Sequence, residues 1–335
     1  MNRMPRPGIL LVLLFALICT GCAGERISST SVPVGDIEVI IEFPAVPLGR
    51  SPVHHAVVSD QLNARLDLAD PHDGRILGQL NDSEVGEVIS AEPIADTISN
   101  LLRYSEECYG AFDPTVQILW DVYEFDSGGR RVQNEEIIDA LQWVNRDLVE
   151  MDGTCIFRKG EHVRVGFGPT LPGAIVDWTL EVAERTGMVD FLVRAGQCMA
   201  VVGEMDDEAR VYEFMYPLDK PAEDNPQLTM GYIRLAPGEY LAAMDDDEKF
   251  FFAGGNRYHM ILNPITGRPT DDLRAAIVVS RESCLQAAVF ACAVMVMGEE
   301  RGPEFLDETE GVEGLVLTAD HEVIVSSGLG DRFWR

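Results

Sequence analysis

Lysine is almost missing from this chain of 335 residues: Lys159, Lys220 and Lys249 stand beside 23 arginines. Acidic side chains outnumber basic ones 56 to 26, for a formal charge of −30 and a pI near 4.4. A protein that reads phosphates needs clustered Lys and Arg, so a nucleic-acid binder is excluded. An acidic surface poor in lysine suits a salty external medium, and a GC-rich genome would equally favour Arg over Lys. Internal repeats, long low-complexity segments and a second apolar span are also missing. Beyond Cys19 and Cys22 there are five cysteines and no CxxC pair: Cys108, Cys155, Cys198, Cys284 and Cys292. That odd count allows at most two bridges and leaves at least one thiol over. What is present is ordinary globular composition, 46 % hydrophobic and 24 % charged, enough for a large core in one or two domains.

The N-terminus carries a targeting pattern. Arg3 and Arg6 precede a short apolar core, Gly8–Ile18, too brief to cross a hydrocarbon layer of roughly 30 Å as a stable helix. Cys19-Thr20-Gly21-Cys22 then resembles a bacterial lipobox, with residues 1–21 as signal peptide and Cys22 as the lipidated new N-terminus. Cys19 departs from the aliphatic residue usual there, and ordinary secretory cleavage is the alternative. The stretch after Cys22, to residue 35, is polar and reads as a tether. The expected location is extracytoplasmic, anchored to a membrane through Cys22.

Periodicity places strands and helices along the rest. Asp36–Phe43 alternates like a strand, while Ser59–Leu68, Glu92–Cys108, Glu135–Val144 and about Gly173 to Thr186 carry helical spacing. Short strands are expected at Leu148–Met151, Thr154–Arg158 and His162–Val165. From Phe191 onward β signals dominate: Phe191–Val202, Arg210–Tyr216, Leu228–Leu235, Phe250–Ala253, Tyr258–Leu262 and Ala275–Ser280. An apolar helix, Ser283–Met297, interrupts them, and its Cys284 and Cys292 read as small buried hydrophobes. Strands at Gly314–Thr318 and Glu322–Ser326 close the chain. Strands grouped apart from helices predict an α+β fold rather than regular βαβ alternation, in a single domain over residues 36–335.

Two motifs stand out. Tyr109-Gly110-Ala111-Phe112-Asp113-Pro114-Thr115-Val116 follows a helix, and Tyr258-His259-Met260-Ile261-Leu262-Asn263-Pro264-Ile265-Thr266-Gly267-Arg268-Pro269 runs from a strand into a tight turn. Each alone reads as a structural corner. In order, with Leu80-Asn81 upstream and a lipoprotein leader, they resemble the FAD:protein FMN transferase family, the ApbE lipoproteins. That family carries L-N, then G-A-F-D-P-T-V, then Y-x-H-I-x-D-P-x-T-G-x-P. The resemblance implies an ApbE-like fold with a mixed or antiparallel sheet core and flanking helices. It also implies binding of FAD beside a divalent metal, and transfer of FMN to a Thr or Ser hydroxyl of a partner protein with release of AMP. Such chemistry needs a hard cation held by several oxygens.

Those oxygens are what the sequence lacks. Where the family has D-L-G-G-x-A-K-G-Y-A-x-D, this chain has Gly166-Phe167-Gly168-Pro169-Thr170-Leu171-Pro172-Gly173-Ala174-Ile175-Val176-Asp177, replacing the acid with Gly166 and the lysine with Pro172. The family's helical A-D-A-x-x-T-A becomes Ala287-Ala288-Val289-Phe290-Ala291-Cys292-Ala293, so Asp gives way to Ala288 and Thr to Cys292, a soft sulfur poorly suited to magnesium. N-A-G-G-D becomes Arg194-Ala195-Gly196-Gln197-Cys198, and T-S-G becomes Ala243-Met244-Asp245. In the late motif Met260 takes the histidine's place, His259 is displaced by one residue, and Asn263 replaces the aspartate. No counterpart of an early M-G-T is found near Pro47–His54. Turn and packing residues survive while ligand chemistry is lost.

Other groups do not replace that site. Asp245-Asp246-Asp247-Glu248 and Asp206-Asp207-Glu208 read as solvated acidic loops, His54-His55 lacks a third ligand, and the serines around Ser326–Gly328 lack a nucleophile elbow. By the resemblance, Ala111, Phe112 and Asp113 are the positions that contact FAD. Phe112 reads equally as core and Asp113 as a turn former. The expectation is a lipid-anchored pseudoenzyme, with FAD possible, magnesium unlikely and no catalytic residue. Its partner would be a flavoprotein or membrane redox complex. An active transferase with a rearranged metal site and a structural envelope lipoprotein without flavin remain the alternatives.

Overall fold

The protein is described by a computed structural model over residues 27–44, 55–72, 75–215, 217 and 229–335. The leader, Cys22, the first residues of the tether, Pro47–His54 and Lys220 lie outside the described residues. In chain order the strands are β1 (Ile27–Val34), β2 (Ile37–Pro44), β3 (Ile89–Ser90), β4 (Val149–Asp152), β5 (Cys155–Arg158), β6 (Phe191–Ala195), β7 (Cys198–Val202) and β8 (Val211–Met215). They continue with β9 (Thr229–Arg234), β10 (Tyr240–Asp245), β11 (Phe250–Ala253), β12 (Asn256–His259), β13 (Leu273–Ser280), β14 (Val312–Thr318), β15 (Val323–Val325) and β16 (Phe333–Trp334). The helices are α1 (His55–Ala69), α2 (Ile76–Asp82), α3 (Ala95–Glu107), α4 (Gln117–Tyr123), α5 (Asn134–Leu141), α6 (Leu171–Arg185) and α7 (Cys284–Glu308).

Eight strands form one sheet in the order β1-β2-β6-β7-β10-β13-β14-β15, with every neighbouring pair antiparallel. Its central strands are buried on both faces. Along β10, Ala242 and Met244 face the cluster that holds α6 and α7, while Leu241 and Ala243 face a second cluster with Phe214, Met230 and Ile233. The second cluster is roofed by a small sheet, β16-β9-β8. Three layers result: helices, the large sheet and the small sheet. A strand buried twice has no polar face, so its sequence reads as a continuous apolar run. For that reason alternation does not predict β10.

Other differences have equally local causes. Residues 27–34, read as tether, form the edge strand β1, which pairs with β2 from Ile27↔Pro44 to Val34↔Ile37. Thr30, Val32 and Val34 point inward while Ser29, Ser31 and Pro33 face out; this period of two is diluted by small polar residues. His162–Val165 is not a strand. Phe191–Val202 is a hairpin, turned at Gly196, whose φ of +52° suits glycine. The apolar helix does not end at Met297: Gly298, at φ +80°, kinks α7 and the helix resumes to Glu308. Among the described residues no helix is long and apolar enough to cross a membrane.

Candidate functional site

The site expected from the resemblance starts where α3 ends. Tyr109 and Gly110 both take positive φ, +56° and +75°, and turn the chain so that Ala111, Phe112 and Asp113 come back against the core. The turn is fastened from both sides. Ser105 Oγ donates to the Phe112 carbonyl at 2.7 Å, and the Gly110 amide donates to the Ser105 carbonyl at 3.0 Å. Asp113 accepts from the Thr115 amide at 2.8 Å and the Thr115 hydroxyl at 2.5 Å on one oxygen, and from the Arg146 amide at 2.9 Å on the other. Both carboxylate oxygens therefore serve the chain itself. Burial pushes the Asp113 carboxyl above its ordinary pKa despite those donors.

Ala111, Phe112 and Asp113 line a cavity with Val116, Trp120, Pro169, Met260, Ile261, Leu262, Cys292 and Val296. The structure thus joins both sequence motifs with the Pro169 loop and α7. The cavity measures about 20 Å³, room for about one water. Its walls are fixed: Trp120 Nε1 donates to the Met260 carbonyl at 3.0 Å, and Phe112, Met260 and Cys292 are all buried.

Positions 166 and 288 are filled rather than left open, whereas Gln197 and Asp245, in two other substituted segments, line a separate cavity of about 280 Å³. A Cβ on Gly166 would lie 2.0 Å from the Gln117 side-chain oxygen, so Gln117 holds the space a side chain at 166 would need. Pro172 packs beside the Gly196 turn. A Cβ on Gly173 would meet the Cys284 carbonyl at 2.7 Å and Ala288 Cβ at 2.9 Å, which fixes how closely α6 crosses α7. Ala288 is fully buried. His259 turns away from the cavity, its Nε2 2.7 Å from the Thr270 carbonyl; burial lowers its pKa, which keeps the ring neutral and Nε2 the donor. Asn263 accepts from the amides of Ile265 and Thr266 at 2.8 and 3.2 Å, as an Asx turn requires.

Asp177 is a functional-looking carboxylate to which the sequence assigns no role. It accepts from the amides of Cys284 and Leu285 at 2.9 and 3.0 Å, binding the first turn of α7 from a neighbouring helix. Ser283 caps the same end through the Gln286 amide. Burial drives the Asp177 pKa up to about 7 against the pull of those two amides. Only the cap residue Ser283 is readable from sequence, since an acceptor 107 positions away from Cys284 leaves no local signal.

The acidic run at 245–248 is not the solvated loop expected of it. Asp246 is 8 % exposed and one of its oxygens is shared by Arg257 at 3.0 Å and Arg274 at 2.8 Å. Asp245 closes β10 and accepts from Gln197 Nε2 at 2.6 Å. These carboxylates organise the β10–β11 turn, since Asp245 also takes the amides of Asp247 and Glu248. Among the described residues no group of three or more His, Cys, Asp or Glu is placed to hold a metal ion.

The same architecture occurs in known proteins. The ApbE family profile matches residues 37–316; the chain belongs to the ApbE family. An FAD:protein FMN transferase of Vibrio cholerae is 26 % identical over 249 residues, covering 68 % of this chain and 73 % of that protein. One from Rhodobacter capsulatus is 24 % identical over 215 residues, covering 63 % of this chain but 39 % of its own length. The apo flavinyl transferase ApbE of Pseudomonas stutzeri superposes with a TM-score of 0.75 at 19 % identity, covering 94 % of this chain and 99 % of that one. The Vibrio cholerae flavin transferase ApbE gives 0.75 at 21 % identity, covering 91 % and 99 %. These likenesses establish the fold.

Proposed function

We propose that this protein is an exported lipoprotein of the ApbE family that has given up flavin transfer and acts by binding a protein partner. The observation that carries the reading is the small volume, about 20 Å³, left among the described residues at the junction of both family motifs. The residues around it do not fit a flavin with its divalent cation. An isoalloxazine ring is many times larger than one water, and apart from Asp113 and the Trp120 indole the side chains lining the space offer a thiol, a thioether and apolar carbons. Magnesium requires a near-octahedral set of oxygens, whereas Ala288 offers none and the Asp113 oxygens are already engaged. No transfer step follows for this chain.

The leader supports the anchored half of the reading. If Cys22 carries lipid, only four residues separate it from Ile27, a reach of at most about 17 Å at roughly 3.5 Å per residue. The edge strand β1 and the sheet behind it would then ride at the membrane surface. Relatives that bear the name FAD:protein FMN transferase act on proteins, so a flavoprotein of a membrane redox system is the partner class proposed.

The test is calorimetric titration of residues 23–335 with FAD, with and without magnesium, joined to a flavinylation assay on a Thr-bearing acceptor protein. The expected result is no saturable heat in either condition, no covalent flavin on the acceptor and no AMP. Flavinylation that a chelator abolishes would overturn the reading and make the chain a working transferase with a different metal site. Binding of FAD without turnover would retain the loss of catalysis and restore Ala111, Phe112 and Asp113 as flavin contacts.

A further inference from the structure

Beyond Cys19 and Cys22, five thiols sit unequally in the fold. Cys198 opens β7 and pairs with Ala242 of β10, next to the rung where Met199 pairs with Leu241. Cys284 is the first residue of α7, and its Sγ lies 3.5 Å from the Leu241 carbonyl and 3.9 Å from the Met199 carbonyl. Its sulfur therefore rests over the rung beside Cys198, and both thiols are free in the structure. Both residues belong to the cluster between sheet and helices, at 1 % and 0 % exposure.

We propose that Cys198 and Cys284 are joined by a disulfide in the mature protein, tying the centre of the large sheet to the first turn of α7. The proposal rests on the export reading, since such bonds persist in oxidising compartments. A bridge between Cys284 and Cys292 is excluded by helix geometry. Cys292 is eight residues along the same helix from Cys284, about 12 Å at roughly 1.5 Å per residue, whereas bridged cysteines need Cα atoms within about 7 Å. Cys108 sits in the turn after α3, its thiol donating to the Ser105 carbonyl at 3.5 Å. Cys155 lies on β5, in the separate β3-β5-β4 sheet.

The step is a thiol–disulfide exchange. As the chain folds, one thiol loses its proton and attacks a sulfur of an oxidant's disulfide; the second thiolate then displaces the mixed intermediate. The new S–S bond costs the chain two protons and two electrons, and the oxidant leaves as two thiols. Exchange must precede docking of α7, because the docked pair is sealed from solvent. The same seal protects the finished bond from reductants. The bridge closes a loop of about 86 residues, which restricts the unfolded chain strongly, and it holds the end of α7 that Asp177 also holds.

The test is made on the protein produced with its own leader and taken from the membrane fraction. It is denatured in iodoacetamide without reductant, and the labelled thiols and digested peptides are read by mass spectrometry. With the Cys22 sulfur in thioether linkage to lipid, five thiols remain to count. Three labels and one peptide linking Cys198 to Cys284 are expected, along with a melting temperature that reductant lowers in the wild type but not in Cys198→Ser. Five labels on a protein whose Cys22 is acylated would overturn the bridge while leaving the export reading intact. If Cys22 is unmodified and the leader retained, the export reading falls instead. The pair is then decided by refolding the reduced chain in a glutathione redox buffer. Accumulation of the Cys198–Cys284 peptide sustains it, and its absence or a mixture of pairings ends it.

Discussion

The Asp113 carboxylate accepts from three donors of its own chain, two on Thr115 and one on Arg146. Asp113→Ala leaves those donors in a buried turn with no acceptor, at a cost of about 2–4 kcal/mol. Urea unfolding should show that loss in the absence of any flavin, as a structural role requires. A loss below about 0.5 kcal/mol would instead leave the residue free to serve a ligand. Asp177 carries a pH signature. Its carboxyl titrates near 7 in the folded protein, against an ordinary value of 3.8 in the unfolded chain. Between those values the folded state binds the extra proton, so the stabilisation is complete below about 4 and fades as pH rises through 7. At roughly 1.4 kcal/mol per pKa unit the change is at most about 4 kcal/mol. Asp177→Asn still offers one acceptor but cannot ionise. Its stability difference from wild type should therefore shrink or reverse between pH 5 and pH 8; a difference that stays level with pH would show that Asp177 does not carry the titration.

At the scale of elements, α7 explains why the loss of ligand chemistry is legible in the sequence while its structural consequence is not. Ala288 and Cys292 are visible as substitutions, four residues apart on one helical face. That Gly173 of α6 presses to within contact of Ala288 depends on a close crossing between helices more than 100 residues apart, and nothing local encodes it. Restoring the lost side chains tests that crossing. Ala288→Asp with Cys292→Thr brings back the family's pair but forces a carboxylate into a fully buried helix face. It should destabilise the protein by about 3–5 kcal/mol and confer no magnesium-dependent rise in melting temperature. A magnesium-dependent rise would mean that the cavity opens around the metal. The helices α3, α5 and α6 are readable from spacing because each has one polar face. The strand β10 is not, because both its faces are buried, and β1 is hidden because Ser29 and Ser31 give it the composition of a linker. Removing residues 27–35 should uncover the β2 edge and strip Val32 and Val34 from the core. Lower stability and aggregation are expected, measured by thermal melting and light scattering; a soluble product that melts like the parent would make β1 an appendage.

Across the whole molecule the excess of carboxylates governs the electrostatics. Twenty-six basic groups cannot neutralise 56 acidic ones, so many carboxylates have no cationic partner even where arginines are shared, as Arg332 is between Glu239 and Glu313. Salt acts on this surface in two opposing ways. It weakens the exposed arginine–carboxylate pairs, each worth at most about 1 kcal/mol, and it screens the repulsion among the unpaired majority. The repulsion is long-ranged: the Debye length falls from about 30 Å at 0.01 M to about 3 Å at 1 M, spanning the distances between charges on a domain of this size. The pairs are in contact and respond less. Self-repulsion should therefore decide the sign, and the melting temperature at pH 8 should rise by several degrees between 0.01 M and 1 M sodium chloride. The rise should be smaller at pH 5, where Asp177, whose carboxyl titrates near 7, holds its proton. A melting temperature that falls with salt at pH 8 would mean that the arginine pairs, and not the net charge, set the electrostatic stability of this fold.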